Sequence, residues 1–318
     1  MLGKILYLVV PCYNEEEVLP LAAVEIAKKM DSLIESQKIS SKSRVLLVDD
    51  GSRDKTWEII SALHDKNKLF GGLKLSRNCG HQQALYSGLM AAKECADIVI
   101  SMDADLQDDI NAIDEFIEKN NQGCEVVYGV RNSRKTDSFF KRNTALMFYK
   151  IMSFLGTETI YNHADYRLMS KQVCDGLSEF KESNLFLRGI IPQIGFKSDC
   201  VYYDRNARAA GESKYPFKKM MAFAVNGITS FSFKPLKLIF NLGLIVSVIS
   251  VFMLAYTLIV KFFGHTVEGW TFTVASVWFI GGLQMLSLGI CGEYIGKIYS
   301  ETKERPKYIV ESFINSVD

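Results

Sequence analysis

The sequence predicts an α/β domain followed by two membrane-spanning helices. Two observations carry that prediction. From the N-terminus, short apolar runs alternate with amphipathic stretches, and polar residues gather just after each run, which is the pattern of repeated βα units. Toward the C-terminus, Leu238 to Val260 and Gly269 to Gly292 contain no charged residue. At about 1.5 Å per residue each run exceeds a hydrocarbon core of roughly 30 Å. A buried core helix is the alternative for either run alone, but two runs separated only by Lys261 to Glu268 read as a hairpin.

Taken in order, Leu2 to Val10 is an apolar run ended by Pro11, and Asn14-Glu15-Glu16-Glu17 leads into an amphipathic stretch from Val18 to about Ile34. Arg44 to Val48 repeats the run, Asp49-Asp50-Gly51-Ser52-Arg53-Asp54 follows it, and a helix is expected from Lys55 to about Asp65. Leu73-Lys74-Leu75 is a short strand before Ser76-Arg77-Asn78-Cys79-Gly80 and a helix from His81 to Cys95. Ile98 to Met102 then delivers Asp103-Ala104-Asp105-Leu106-Gln107-Asp108-Asp109. In open α/β sheets ligands bind at the carboxyl ends of strands, so four polar clusters are expected to converge on one crevice.

The aspartate pair is the centre of this pattern. Asp103 and Asp105 offer hard oxygen ligands to a divalent cation and leave positions for water and substrate phosphates. The alternative is a solvated acidic turn in which Asp108 or Asp109 caps the helix beginning near Ile110. Asn14 alone reads as a helix cap, Asp49, Asp50 and Asp54 as turn residues around Gly51, and Arg77 as a surface arginine. Their equivalent positions after successive runs favour a shared site.

The chain has 318 residues, 48% hydrophobic content and a net charge of +1. That balance excludes a general nucleic-acid binder, which needs a basic excess. Seven scattered cysteines show neither CxxC nor Cys/His spacing, so neither a zinc site nor a disulfide framework is expected. Ile5 to Val10 is too short for a signal-peptide core. Lys214, Lys218, Lys219, Lys234 and Lys237 precede the first apolar run, and Lys297, Lys303, Arg305 and Lys307 follow the second. The positive-inside rule therefore places both termini and the N-terminal domain in the cytoplasm.

Val9-Val10-Pro11-Cys12-Tyr13-Asn14-Glu15, Val48 to Asp54, Ser76 to Gly80 and Asp103 to Asp108 together resemble the ordered motifs of family-2 inverting glycosyltransferases. Within these the sequence is most similar to the polyprenyl-phosphate group that contains bactoprenol glucosyltransferase and dolichyl-phosphate mannose synthase. The resemblance runs through nearly the whole chain. It implies a GT-A-like (Rossmann-like) catalytic domain over residues 1–212, a juxtamembrane amphipathic helix over 213–234, a transmembrane hairpin over 235–299 (about 236–261 and 269–296), and a cytoplasmic tail over 300–318. Gly292-Glu293-Tyr294-Ile295-Gly296 also resembles the bactoprenol type. From Phe217 to Ile228, apolar residues beside Lys214, Lys218 and Lys219 suit a helix lying at the membrane interface, with a core helix as the alternative.

What the resemblance implies for the site can be set residue by residue. Pro11, Tyr13, Asn14, Glu15 and Asp50 match positions that hold the nucleoside, and Arg77, Ala104 and Gln107 belong to the same donor-side motifs. Asp103 and Asp105 match the metal motif, for Mg2+ or Mn2+, with the donor's phosphates bridged by the ion. Arg131 and Arg142 supply cations, and Arg208 and Lys214, in Arg-xx-Gly-x-Ser-Lys, match the acceptor-side loop. Forked guanidinium donors suit phosphate oxygens, although basic residues before a membrane helix also serve anionic lipid heads. Asp165 is the candidate for orienting the acceptor or completing proton transfer, and pairing with Arg167 explains it equally well. His81-Gln82-Gln83 and His163 face the sugar or only cap and pack.

The implied reaction is inverting transfer of one glucose or N-acetylhexosamine from a UDP-sugar to undecaprenyl or another polyprenyl phosphate. A GDP-mannose donor is the alternative, and a non-catalytic membrane scaffold is the rival from another class. Catalysis is expected to depend on Asp105, Asp165, Arg208 and Lys214. The implied partners are the nucleotide-sugar, the prenyl lipid, the membrane, a second copy of the chain, a flippase and a downstream membrane glycosyltransferase.

Overall fold

Uninterrupted apolar runs make strands covered on both faces, and Leu6, Leu8, Val9 and Val10 are wholly buried, as are Val45 to Val48. A computed structural model describes residues 3–132, 163–182, 185–204, 234–262 and 269–316. In chain order the elements are β1 (Leu6–Cys12), α1 (Leu19–Glu35), β2 (Arg44–Asp49), α2 (Thr56–Lys66), β3 (Phe70–Leu75), α3 (His81–Ala92), β4 (Ile98–Ser101) and α4 (Ala112–Asn121). There follow β5 (Val126–Arg131), β6 (His163–Ser170), α5 (Lys171–Ser178), α6 (Leu187–Gln193), β7 (Ser198–Tyr203), α7 (Lys234–Phe262), α8 (Trp270–Thr302) and β8 (Val310–Ile314).

The strands form one mixed sheet in the order β7-β5-β6-β4-β1-β2-β3-β8. β4, β1, β2 and β3 run parallel, so their carboxyl ends and polar clusters share one edge. β6 lies antiparallel between β4 and β5. Tyr166 on β6 packs edge-on to Phe116 at 4.7 Å and to Tyr203 at 5.5 Å between ring centres, closing the core on the α4 side.

Three local features differ from the sequence reading. β1 continues through Pro11 to Cys12 because pairing with β4 ends at Val9, so the missing proline donor falls where β4 asks for none. β3 begins at Phe70 and includes Gly71 and Gly72, where a Cβ on Gly72 would lie 2.6 Å from Ile60 Cγ2 and 3.0 Å from Ile314 Cγ1. Part of the expected tail forms β8, antiparallel to β3. Lys307 Nζ donates to the Phe180 carbonyl at 2.6 Å and sits 4.5 Å from the Tyr86 ring centre, fastening the segment before that strand.

Among the described residues the chain divides into two units, the sheet with its helices and residues 305–316, and a helical unit containing α7 and α8. The latter helices have 29 and 33 residues. Among residues whose side chains are described, no helical stretch is long and apolar enough to cross a membrane. Many side chains of α7 and of the first part of α8 lie outside that set. The amphipathic helix expected over 213–234 also lies outside the described residues, apart from Lys234.

Candidate active site

The parallel strand ends are stitched together by side chains that satisfy loop amides. Asn14 adopts a positive φ of 53°, which asparagine tolerates. Its amide nitrogen donates to Ser52 Oγ at 3.0 Å, while its Oδ1 accepts from Arg53 N at 2.9 Å. Glu15 N donates to Thr56 Oγ1 at 2.9 Å. Pro11 is buried and Tyr13 is exposed beside this junction. Asp49 caps the same turn, accepting from Ser52 N at 3.1 Å.

Asp50 turns its two oxygens to the next loop, accepting from Cys79 N at 2.7 Å and Gly80 N at 2.9 Å. Burial raises its pKa and the two amides oppose that rise. Gly51, at φ +62°, lies under the same loop, and a Cβ there would come within 2.5 Å of the Arg77 carbonyl carbon. Asp50 was expected to face a nucleoside. The structure instead places it beneath the Arg77–Gly80 backbone, nearly inaccessible at 3% exposure. Arg77 itself is exposed.

β4 delivers the central pair. Asp103 is half-buried and has no hydrogen bond among the described residues; His81 Nε2 lies 3.7 Å away. Burial raises the Asp103 pKa, His81 lowers it, and Asp165, Asp108 and Asp105 raise it further as like charges. Ala104 is buried, and Asp105 Oδ1 accepts from Gln107 N at 3.2 Å. Between them Leu106 sits at φ +53°, a left-handed conformation costly for a leucine and characteristic of functional turns. Gln107 is buried.

Among the described residues, no group of three or more His, Cys, Asp or Glu side chains is arranged to hold a metal ion. The donor set nevertheless fits a hard divalent cation whose shell is completed by water and phosphate. Asp103 and Asp105 supply carboxylate oxygens, and Asp103 is a carboxylate under like-charge pressure that a cation would relieve.

Asp165 lies across from this pair. The antiparallel register sets Ser101 against Arg167, so two residues further along Asp103 falls opposite Asp165. The Asp165 carboxylate receives Arg167 Nη2, Arg188 Nε at 3.1 Å, Arg188 Nη2 at 3.1 Å and Gln82 Nε2 at 3.3 Å. His81 Nε2 is 3.5 Å away. Although burial pushes its pKa up, Arg188, His81 and Arg167 prevail and hold the carboxyl well below its ordinary range. An ionised carboxylate engaged by so many donors is an anchor rather than a proton acceptor. The pairing with Arg167 left open by the sequence is therefore what the structure contains.

Arg131, expected on a phosphate, instead donates from Nη2 to Asp108 Oδ1 at 2.9 Å, and Tyr203 OH donates to the same oxygen at 2.6 Å. Burial lowers the Arg131 pKa, but the Asp108 charge outweighs it and raises the value overall. Asp108 is thus a buried ion-pair partner joining α4's approach to β5 and β7. Arg142, Arg208 and Lys214 lie outside the described residues. Sequence reasoning left Gln82 between facing the sugar and packing, and it missed Arg188 as a neighbour of the site. The available signal was a single charge inside the apolar stretch Phe186-Leu187-Arg188-Gly189-Ile190-Ile191.

With this geometry in place, residues 7–177 match the family described as Glycosyl transferase family 2, and residues 234–298 match the GtrB C-terminal hairpin. The chain belongs to glycosyl transferase family 2. It is 53% identical to an uncharacterized glycosyltransferase, YkoT, of Bacillus subtilis strain 168, over 96% of this chain and 91% of that one. It is 40% identical to the bactoprenol glucosyl transferase of Shigella phage SfV over 96% and 97%, and 39% identical to the prophage bactoprenol glucosyl transferase homolog of Escherichia coli K12 over 96% and 97%. Among solved structures, a glucosyl-3-phosphoglycerate synthase from Mycobacterium tuberculosis, in complex with Mn2+, UDP and glucosyl-3-phosphoglycerate, aligns at a TM-score of 0.43. Its identity is 15%, and the alignment covers 71% of this chain and 78% of that one. The protein is a glycosyltransferase with a GT-A-like α/β fold.

Proposed function

We propose that this glycosyltransferase moves one glucose or N-acetylhexosamine from a UDP-sugar to a polyprenyl phosphate at the cytoplasmic face of the membrane. The observation that carries the reading is the half-buried Asp103, crowded by like charges beside Asp105 at the centre of the stitched strand ends. The named relatives act on bactoprenol, the lipid whose phosphate is the acceptor in this reading. The membrane part is supported by apolar side chains that stand exposed along the two long helices, among them Phe240, Phe252, Phe279 and Met285. At about 1.5 Å per residue both helices are longer than a hydrocarbon core of roughly 30 Å.

Asp103 and Asp105 would hold Mg2+ or Mn2+ together with the donor diphosphate, and the ion would supply neutralisation of charge on the departing nucleotide. Asn14, Glu15 and the loop capped by Asp50 form the nucleoside side. The acceptor's phosphate has a second pKa near 6 by analogy with phosphoserine, so it is largely ionised at neutral pH and needs no strong base. This agrees with an Asp165 that is already ionised and hydrogen-bonded. The chain's contribution is to position two anionic substrates and stabilise their charge. Direct displacement on an α-linked donor gives a β-linked lipid-phosphate sugar.

The test is incubation of the membrane-embedded protein with radiolabelled UDP- and GDP-sugars and undecaprenyl phosphate, with and without EDTA. Label in the organic phase from a UDP-sugar, lost with EDTA, supports the reading. Label from GDP-mannose alone changes the donor, and no label with any donor favours a scaffold. Asp105→Asn is expected to abolish transfer while membrane insertion is retained; full activity would move the metal site elsewhere.

A further inference from the structure

We infer that Lys307, Tyr308 and Ile309 are positioning residues for the donor nucleotide: they clamp the Ser76–Gly80 loop from both ends and hold it in its binding shape. This deepens the reaction proposed above, in which that loop, capped by Asp50, forms part of the nucleoside side. The three residues lie in the segment 305–316, which belongs to the sheet unit. Pro306 has a fixed φ and no amide donor, so the chain that follows α8 does not continue as a helix. Residues 301–306 and 309–311 are exposed, whereas Lys307 and Tyr308 are half-buried, which marks these two as the anchored pair.

One end of the loop is held through its first residue. β8 pairs with β3 as far as Val310 against Leu75, with a register shift between Lys74 and Leu75. The contact then reaches one residue into the loop, because Ser76 N donates to the Ile309 carbonyl at 3.0 Å. An irregularity of this kind at a strand end re-aims the residues beyond it. β3 itself has little to grip with, since Gly71 and Gly72 carry no side chains. The tail covers them closely: a Cβ on Gly71 would lie 3.1 Å from both the Ile314 carbonyl oxygen and Asn315 Oδ1.

The other end is held through α3, which begins at His81 directly after the loop. Tyr86 on α3 meets Tyr308 edge-on, with ring centres 6.2 Å apart, and Lys307 Nζ lies 4.5 Å from the centre of the same Tyr86 ring. The Phe180 carbonyl accepts from Lys307 Nζ at 2.6 Å and fixes that ammonium in place. Asp50 takes the Cys79 and Gly80 amides between these two grips. Three consecutive tail residues therefore set where the loop starts and where its helix sits, and Asp50 alone would hold it without them.

The full-length protein in detergent is compared with a version ending at Pro306, and each is titrated with UDP plus Mn2+. Truncation is expected to weaken UDP binding about 10-fold or more, the combined effect of one backbone hydrogen bond, one ring pair and one cation–π contact. A synthetic peptide of residues 307–318 should restore most of that loss. Hydrogen exchange without nucleotide should quicken at the Ser76 to Gly80 amides and stay unchanged at Ile98 to Ser101 of β4, which β1 and β2 separate from β3. Tyr308→Ala covers a folding failure of the truncated chain and should weaken UDP binding about 3- to 10-fold, while Tyr308→Phe keeps the ring and should bind as the wild type does. Unchanged UDP binding in the folded truncation or in Tyr308→Ala overturns the inference, as does weakened binding with wild-type exchange in the loop or equally fast exchange in β4. A wild-type protein that binds no UDP would instead refute the donor reading, and the loop amides would still decide whether the clamp exists.

Discussion

Asp50→Asn is the substitution that separates a nucleoside contact from a loop anchor. The wild-type carboxylate accepts from Cys79 N at 2.7 Å and Gly80 N at 2.9 Å, one amide to each oxygen. An asparagine offers one acceptor oxygen and one NH2 group, so one loop amide faces a donor. That orphaned amide costs about 1–3 kcal/mol, and the surviving bond, now neutral, is weaker by about 1 kcal/mol. Removing a buried charge offsets part of this, since burial is what raises the Asp50 pKa. A net destabilisation of the loop by about 2 kcal/mol remains, which is roughly a 30-fold increase in its opening. Hydrogen exchange resolved at the Cys79 and Gly80 amides, in the absence of any nucleotide, reads this directly. Both amides should exchange faster in Asp50→Asn, and donor KM should rise in step. Wild-type exchange rates combined with a raised KM would refute the anchoring role and return Asp50 to the nucleoside.

Gly51→Ala should disturb the same loop from below, because its Cβ would sit 2.5 Å from backbone at a φ of +62°; a loss of about 1–3 kcal/mol is expected in thermal unfolding. Gly123→Ala, at φ +88° but with its nearest neighbour 3.9 Å away, should cost less and leave UDP binding unchanged. Asp165 is held well below its ordinary pKa by Arg188, His81 and Arg167 against the opposing effect of burial. Its stabilising contribution is therefore complete above about pH 4 and lost as the pH falls below that value. Asp165→Asn should lower the melting temperature at neutral pH and flatten its decline in acid; a curve parallel to wild type would count against the ion-pair role. Deleting residues 305–318 removes β8 and the Ile309 carbonyl that accepts from Ser76 N at 3.0 Å, so the β3 amides should lose exchange protection, and unchanged protection would refute the strand pairing.

The legible half of the fold is the half in which sequence order and spatial order coincide. β1, β2 and β4 are strongly apolar and each ends in a polar cluster, so Asn14, Asp50, Asp103 and their neighbours could be placed on one edge before any coordinates. The sequence marks β3 only at Leu73-Lys74-Leu75, whereas the strand also takes in Gly71 and Gly72. Both glycines face Ile314, a residue more than two hundred positions away, and Gly72 also faces Ile60. β8 was missed for the same reason, since Val-Glu-Ser-Phe-Ile becomes a strand only against an edge that the local pattern cannot reveal. At the site, position was legible and partnership was not. Arg131 and Asp108 are each plausible ligand contacts in sequence, and only the fold turns them toward each other.

That difference in partnership explains which carboxylates remain suited to ligand chemistry. Asp49, Asp50, Asp108 and Asp165 all lie at or near the carboxyl edge of the sheet, and each meets backbone amides, a tyrosine hydroxyl or guanidinium groups. Each therefore fixes a loop or a cation and adds little uncompensated charge. Asp103 is the exception: its nearest described cationic group is His81 at 3.7 Å, and three other aspartates raise its pKa. In the transfer reaction proposed above, which brings a diphosphate and a phosphate together, the enzyme's carboxylates must not repel both. Neutralising the surrounding ones internally while leaving the Asp103–Asp105 pair to a cation achieves this with one charge centre at the point of reaction. Charge reversal tests the scheme. Asp165→Arg, unlike Asp103→Asn, should unfold the β6 end of the sheet, because the wholly buried Arg167 would lose its carboxylate partner and face a second guanidinium in its place. If Asp165→Arg folds with a wild-type melting temperature and loses only turnover, the neutralising role assigned to Asp165 is wrong.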